Sequence, residues 1–146
     1  MAFTGNYTCN VFRTGILDGV YNFGTGTTDV FKIALYTNAA TLDASTTAYT
    51  TTGEVVDAGY TAGGEILVIN QVPTTGNAPN TTAFFSFANA SWTGAITARG
   101  ALIYKFNGTT NPAVCVLDFG SNKTSTTTFV VQFPAATNTT AIIRIG

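Results

Sequence analysis

The chain has 146 residues, about one domain's worth, of which 45% are hydrophobic and only 9% charged, with a net charge of −1. Ordinary soluble domains carry about 25% charged residues, and here Thr, Asn, Ser and Gly take their place. This balance excludes a disordered chain, which pairs low hydrophobicity with high net charge. It also excludes a nucleic-acid partner, because Arg13, Lys32, Arg99, Lys105, Lys123 and Arg144 are scattered singly and form no basic patch.

In chain order, the first segment (Tyr7 to Asp18) differs in period from the rest. Val11, Phe12 and Ile16 fall at the spacing of one apolar helical stripe, with Cys9 and Leu17 flanking them. Gly19 follows as a C′ residue. Gly15 counts against a helix, and a strand over Tyr7–Phe12 is the competing reading. Residues 1–22 are expected to pack as an arm on the rest of the domain. Beyond them come short β runs separated by Gly/Asn/Thr-rich turns. Asp29–Thr37 alternates Phe31, Ile33 and Leu35 with Lys32, Ala34 and Tyr36. Glu65–Gln71 is apolar on both sides, which predicts a central strand. Further runs are Ala83–Ala88, Ala98–Phe106, Ala113–Phe119, Thr127–Phe133 and Ala141–Ile145. Turns are expected at Pro73–Pro79, Asn107-Gly108 and Gly120-Ser121-Asn122. Thr41–Thr52, poor in apolar residues, reads as a surface excursion, and Gly53–Gly64 as a tightly turned loop. No repeat and no linker divides the chain. The expected fold is therefore mainly β: a single-domain antiparallel β-sandwich of about 7–8 strands with a short N-terminal helix, spanning residues 1–146.

The available chemistry is narrow. With no histidine in the sequence, Ser-His-Asp and Cys-His triads are excluded. Cys9 and Cys115 match no zinc spacing and are expected as two buried free thiols, with a disulfide between them as the alternative. Among the acids, Asp43 falls in a loop, while Glu54 and Asp57 lie close together in the glycine-rich segment. Turn and capping duty is the main reading for that pair, and a metal or catalytic role the minor one. Gly24-Thr25-Gly26 lacks the lysine and helix of a phosphate-binding loop. Phe84, Phe85, Phe87 and Trp92 share one neighbourhood. Strand alternation points Phe85 and Phe87 one way and Phe84 the other, as for a core face and an interface face. Sugar stacking is the alternative, with Trp92 or Tyr36, Tyr49 and Tyr60 as platforms. Arg99, on a strand start of small residues, is placed to tie down an acid or a carbonyl. No cofactor and no metal is expected.

No window approaches the ~20 apolar residues of a membrane span. The start (Met-Ala-Phe-Thr-Gly-Asn) has neither region of a secretory signal, so synthesis in a cytoplasm is expected. The Asn-X-Thr/Ser triplets at Asn6, Asn80, Asn89, Asn107, Asn122 and Asn138 are then products of composition. A surface this poor in charge lacks self-repulsion. Burial in an assembly accounts for that; a neutral Thr/Asn surface kept in solution by hydration is the alternative.

Taken together, the ordered segments FRTGILDGVYNF, FKIALYTNAATLD, GEVVDAGYTAGGEIL, SWTGAITARGALIYK and VCVLDFGSNKTSTTTFVVQF resemble a family of small tailed-bacteriophage virion proteins over nearly the whole chain. The resemblance implies a non-enzymatic particle component found in the virion. Its leading form is a capsid decoration or cement protein that binds the major capsid protein as a homo-oligomer, a trimer at three-fold positions among the options. A tail or baseplate/fibre-attachment component is the alternative, with tail proteins as partners; a carbohydrate-binding module is the reading from a different class. Gly59, Tyr60, Gly63, Gly64, Trp92, Arg99, Asp118 and Gly120 match the family's pattern. Read from the residues themselves, all eight are architectural: the glycines permit backbone closed to other residues, Trp92 buries area, and Arg99 with Asp118 is the pair best suited to bridge.

Overall fold

Where β-branched and aromatic residues alternate, the chain forms strands; where Gly, Asn and Thr cluster, it turns. A computed structural model describes residues 3–76 and 81–146. The elements are β1 (Tyr7–Thr8), α1 (Asn10–Leu17), β2 (Val30–Tyr36), β3 (Glu65–Leu67), β4 (Ile69–Thr75), β5 (Ala83–Phe87), β6 (Ala90–Thr93), β7 (Thr97–Phe106), β8 (Ala113–Thr124), β9 (Thr128–Val131) and β10 (Ile143–Ile145). They build a five-stranded sheet of order β1-β8-β7-β2-β3, a three-stranded sheet of order β10-β5-β4 and a β6–β9 ribbon. All pairings are antiparallel. The fold is mainly β and sandwich-like.

The core lies where the two larger sheets face each other. Phe31 of β2 meets Phe23, with ring centroids 4.3 Å apart, and Phe23 stacks on Phe85 of β5 at 3.9 Å. Phe87 joins from the same face of β5 and reaches Phe133 at 6.0 Å. Phe85 and Phe87 are buried and Phe84 is half-exposed, as strand alternation requires. The second face of the five-stranded sheet is covered too, by the long excursion between β2 and β3: Tyr49 stacks on Tyr104 of β7 at 4.8 Å. Burial from both sides is why β2 and β7 read as apolar on both faces.

At the N-terminus both competing readings are realised in sequence. Tyr7–Thr8 pairs with β8, and the helix begins only at Asn10, after Cys9. Gly15 sits where the Tyr21 ring crosses the helix: a Cβ there would lie 2.4 Å from that ring. Phe12 makes an edge contact with Tyr21 at 5.0 Å, which docks α1 on the core.

Four expectations are corrected. Glu65–Gln71 is not a central strand: it splits at Val68 into β3 and β4, the end strands of two different sheets, and Ile66 and Val68 are 64% and 63% exposed. Gly120-Ser121-Asn122 does not end a strand. These residues bulge out of β8, since Ala98 pairs with Lys123 while Gly100 pairs with Asp118. Pro73 lies inside β4, tolerated because β4 ends its sheet; the remainder of the Pro73–Pro79 signal, from residue 77 on, and Asn80 fall outside the described residues. The strands among the described residues also outnumber the expected seven or eight, because β1 and β6 are short and one expected strand became two. At Asn107-Gly108 the turn is present, with Asn107 Oδ1 accepting from the amides of Thr109, Thr110 and Asn111. The Thr41–Thr52 excursion is only partly superficial, since Leu42 is buried.

Candidate functional site

The segment that drew attention in the sequence, residues 53–64, wraps one buried acid. Glu54, 6% exposed as a residue, pairs with Tyr36 at the end of β2 and turns its side chain inward. Burying a carboxylate is costly unless its lone pairs are satisfied. Here Oε1 accepts from the Tyr60 hydroxyl at 2.6 Å and the Gly63 amide at 2.7 Å, and Oε2 accepts from the Tyr49 hydroxyl at 2.7 Å. The tyrosines are themselves held: the Leu35 amide donates to Tyr60 Oη, Tyr36 Oη donates to the Thr50 carbonyl, and Tyr104 Oη donates to the Gly63 carbonyl. Burial, together with the Glu54 charge, pushes the Tyr36, Tyr49 and Tyr60 hydroxyls up and the Tyr104 hydroxyl to about 12. They therefore stay protonated and act as donors.

The loop's geometry depends on glycine at two places. Gly64 has φ +70°, and a Cβ there would lie 1.8 Å from the Ile33 carbonyl oxygen, so the loop lies flat against β2. Gly59, at φ +90°, also approaches backbone closely: a Cβ there would lie 2.2 Å from the Thr93 carbonyl oxygen. This second contact joins the loop to the end of β6. Asp57 accepts from the Thr97 amide at 2.7 Å, and Tyr60 packs against Trp92, centroids 6.2 Å apart. Trp92 in turn meets Phe129 of β9. One loop thus ties the five-stranded sheet to the β6–β9 ribbon.

Arg99 and Asp118 lie apart from this loop, on β7 and β8, and form a hydrogen-bonded ion pair with both side chains largely covered. Asp118 Oδ1 also accepts from the Gly120 amide at 2.8 Å, and the Asp118 amide donates to Asn6 Oδ1. The pair therefore anchors the β8 bulge and the N-terminal arm. The eight matched residues form two structural clusters, Gly59, Tyr60, Gly63, Gly64 and Trp92 in one and Arg99, Asp118 and Gly120 in the other.

Chemically, little is left open. Both carboxylate oxygens of Glu54 are engaged, by three hydrogen bonds in all, and Asp57 is engaged with a different partner. Among the described residues, no three of Cys, Asp and Glu gather to hold a metal ion. Cys9 and Cys115 are free and buried; burial raises the Cys9 thiol to about 12 and the Cys115 thiol upward as well. Both are poor nucleophiles in that state. The proposed sugar platforms have little free ring face, since Tyr36 is fully buried, Trp92 is 3% exposed, and Tyr49 and Tyr60 pack against the core. An apolar cleft of about 340 Å³ lies elsewhere, between Tyr21, Phe23, Phe84, Phe85, Ile143 and Ile145. No helix among the described residues is long and apolar enough to cross a membrane. Compared with protein-family models, curated proteins and solved structures, the chain matches none.

Linear spacing does not reveal the Glu54–tyrosine cluster. Four glycines around Tyr60 signal a tight turn, but nothing in the sequence links Tyr49 and Glu54 to Tyr104, which reaches them only through the sheet register. The exposure of Ile66 and Val68 is hidden in the same way, because apolar residues on both faces signal burial in either sense.

Proposed function

We propose that this chain is a non-enzymatic structural component of a bacteriophage particle, a decoration or cement subunit that binds and stabilises the outer capsid surface. The observation that carries the reading is the fate of the motif residues. Those through which the sequence resembles small phage virion proteins are spent on holding the fold together. The exposed features are a charge-poor surface and apolar side chains at Ile66, Val68 and Ile145, and such surfaces suit protein–protein contact. The absence of histidine and the engagement of both Glu54 carboxylate oxygens support a role without catalysis.

A lattice-covering subunit is present by symmetry on the order of hundreds of copies per particle. Quantitative mass spectrometry of purified particles is the test. About a dozen copies or fewer removes the cement reading and favours the tail or baseplate component. The carbohydrate-binding reading has no exposed platform at Trp92 or Tyr36, and a glycan array that retains no sugar closes it.

A further inference from the structure

The few basic side chains of this chain are unevenly placed. Arg99 and Lys105 are spent on ion pairs, and Lys32 lies over the Phe106 ring. Of the remaining three, Arg13 and Arg144 line one groove of about 430 Å³, together with Leu17, 88% exposed, and Ile145, 53% exposed. One wall of the groove is α1, which presents Arg13, Ile16 and Leu17, and the other is formed by residues 143–146 of β10 and its end. Among the described residues no acidic side chain lines it; Asp18 follows Leu17 in the chain but lies outside the lining. The Arg13 guanidinium makes no hydrogen bond or ion pair among the described residues. Arg144 donates one N–H to the Thr139 carbonyl, and further N–H groups remain on its fork.

The strand itself supplies the second feature. β10 pairs with β5 on one side only, and in an antiparallel pair alternate residues aim their N–H and C=O groups away from the partner. Residues 143–146 border the groove in succession, so it runs along this open side and not over one face of the strand. Beyond the pairing with β5, their backbone makes no hydrogen bond to other backbone among the described residues. A further opening of about 250 Å³ shares Thr8, Ile143 and Arg144 with the groove and prolongs it between β1 and residues 140–144. β1 does not close that gap, because it pairs with β8. A second copy meeting this groove with its own would set guanidinium groups against guanidinium groups, an unfavourable arrangement. We propose that the α1–β10 groove is a docking site for an extended segment of a different protein, one whose apolar residues are flanked by Asp or Glu. Its main chain adds to the open side of β10, its apolar side chains cover Ile16, Leu17 and Ile145, and its carboxylates meet Arg13 and Arg144. Such docking needs nothing from the virion reading, since the groove belongs to the isolated chain.

Fluorescence anisotropy of the full chain tests it, with a labelled peptide of alternating Val and Thr that carries Asp-Asp at each end as the probe. Saturable binding is expected, weaker by about tenfold or more when Lys replaces the Asp ends. Methylation of every second peptide nitrogen, in at least one of its two phases, is expected to cost a similar factor of about tenfold, because it removes the main-chain donors that face β10. Arg13→Glu and Arg144→Glu should each weaken binding by about fivefold or more, and Lys123→Glu, the same change of charge away from the groove, by less than about twofold. No binding below about 1 mM overturns the proposal, as does equal binding of the Lys-ended peptide or indifference to both methylation phases. It is equally overturned if Lys123→Glu weakens binding as much as Arg144→Glu. Adsorption to phosphatidylserine vesicles that the peptide does not displace would assign the two cations to a membrane surface, and a sedimenting dimer that excludes the peptide would assign the groove to a second copy; either outcome overturns it. The peptide series needs no variant of the chain and so decides the matter even if a substitution impairs folding. A chain found abundantly in particles but unable to bind the peptide would remove this docking and leave the virion reading standing.

Discussion

Residues 53–64 and residues 65–75 adjoin in the chain, yet each is built against its own composition. The first is rich in glycine and contains two acids, and it is fixed on both sides: Glu54 takes three internal hydrogen bonds, and Gly59 and Gly64 press against neighbouring backbone. The second carries Ile66, Leu67, Val68, Ile69 and Val72, and much of it faces outward. In a chain with so few charges, apolar content is spread too evenly to mark the core. What marks a locked segment is a buried polar group with every partner in place; what marks an open one is an end strand.

Substitutions in the loop should therefore cost far more than substitutions in the strand. The largest effect is expected from Gly64→Ala. A Cβ at that position meets the β2 backbone, not a movable side chain, and the positive φ adds strain, so a loss of about 4 kcal/mol or more is expected in chemical denaturation. Glu54→Ala comes next. It strands the hydroxyls of Tyr49 and Tyr60 and the Gly63 amide, and about 3 kcal/mol should be lost. Glu54→Gln keeps the shape and an acceptor oxygen and should cost only about 1 kcal/mol. Equal losses for the two Glu54 variants would show that the carboxylate's hydrogen bonds do not hold the loop.

The tyrosines make the same contrast visible in pH. In the unfolded chain they ionise near 10.0 and the cysteines near 9.0, whereas in the folded chain Tyr21, Tyr104 and Cys9 hold their protons to about 12. Folded values raised in this way leave stability intact below pH 9 and remove it as the pH climbs from there toward 12. Thermal melts should show Tm falling steeply over that window, with tyrosinate absorbance at high pH appearing together with unfolding. Absorbance from Tyr21, Tyr36, Tyr49, Tyr60 or Tyr104 that rises near pH 10 while the fold persists would mean those rings are open to water. The smallest effect is expected at the strand: Ile66→Thr should change stability by no more than about 0.5 kcal/mol, since the side chain is already 64% exposed.

The same physics decides how much of the molecule is legible in its sequence. Alternation locates β2, β5, β7 and β9, because each buries at least one face and period 2 records it. The helix is legible from Phe12 and Ile16 and its end from Gly19, but its start is displaced because Tyr7–Thr8 pairs with a strand more than a hundred residues away. Asn107-Gly108 reads correctly as a turn, whereas Gly120 reads as one and is a bulge; a glycine with positive φ serves either, and only the partner strand's register separates them. The ion pair of Arg99 with Asp118 is legible because these are the most suitable opposite charges on neighbouring runs. The Glu54 cluster is not legible, because its four tyrosines are gathered from the excursion, β2 and β7 by long-range pairing that no local pattern encodes.

The proposed division is that the glycine loop serves the fold and the β3–β4 stretch serves assembly. Hydrogen exchange read by mass spectrometry on the free chain and on the same chain in assembled particles tests that division most directly. Amides of residues 53–64 should be equally protected in both states, while those of residues 65–75 should gain protection on assembly. Protection gained in the loop, with the strand unchanged, would contradict it.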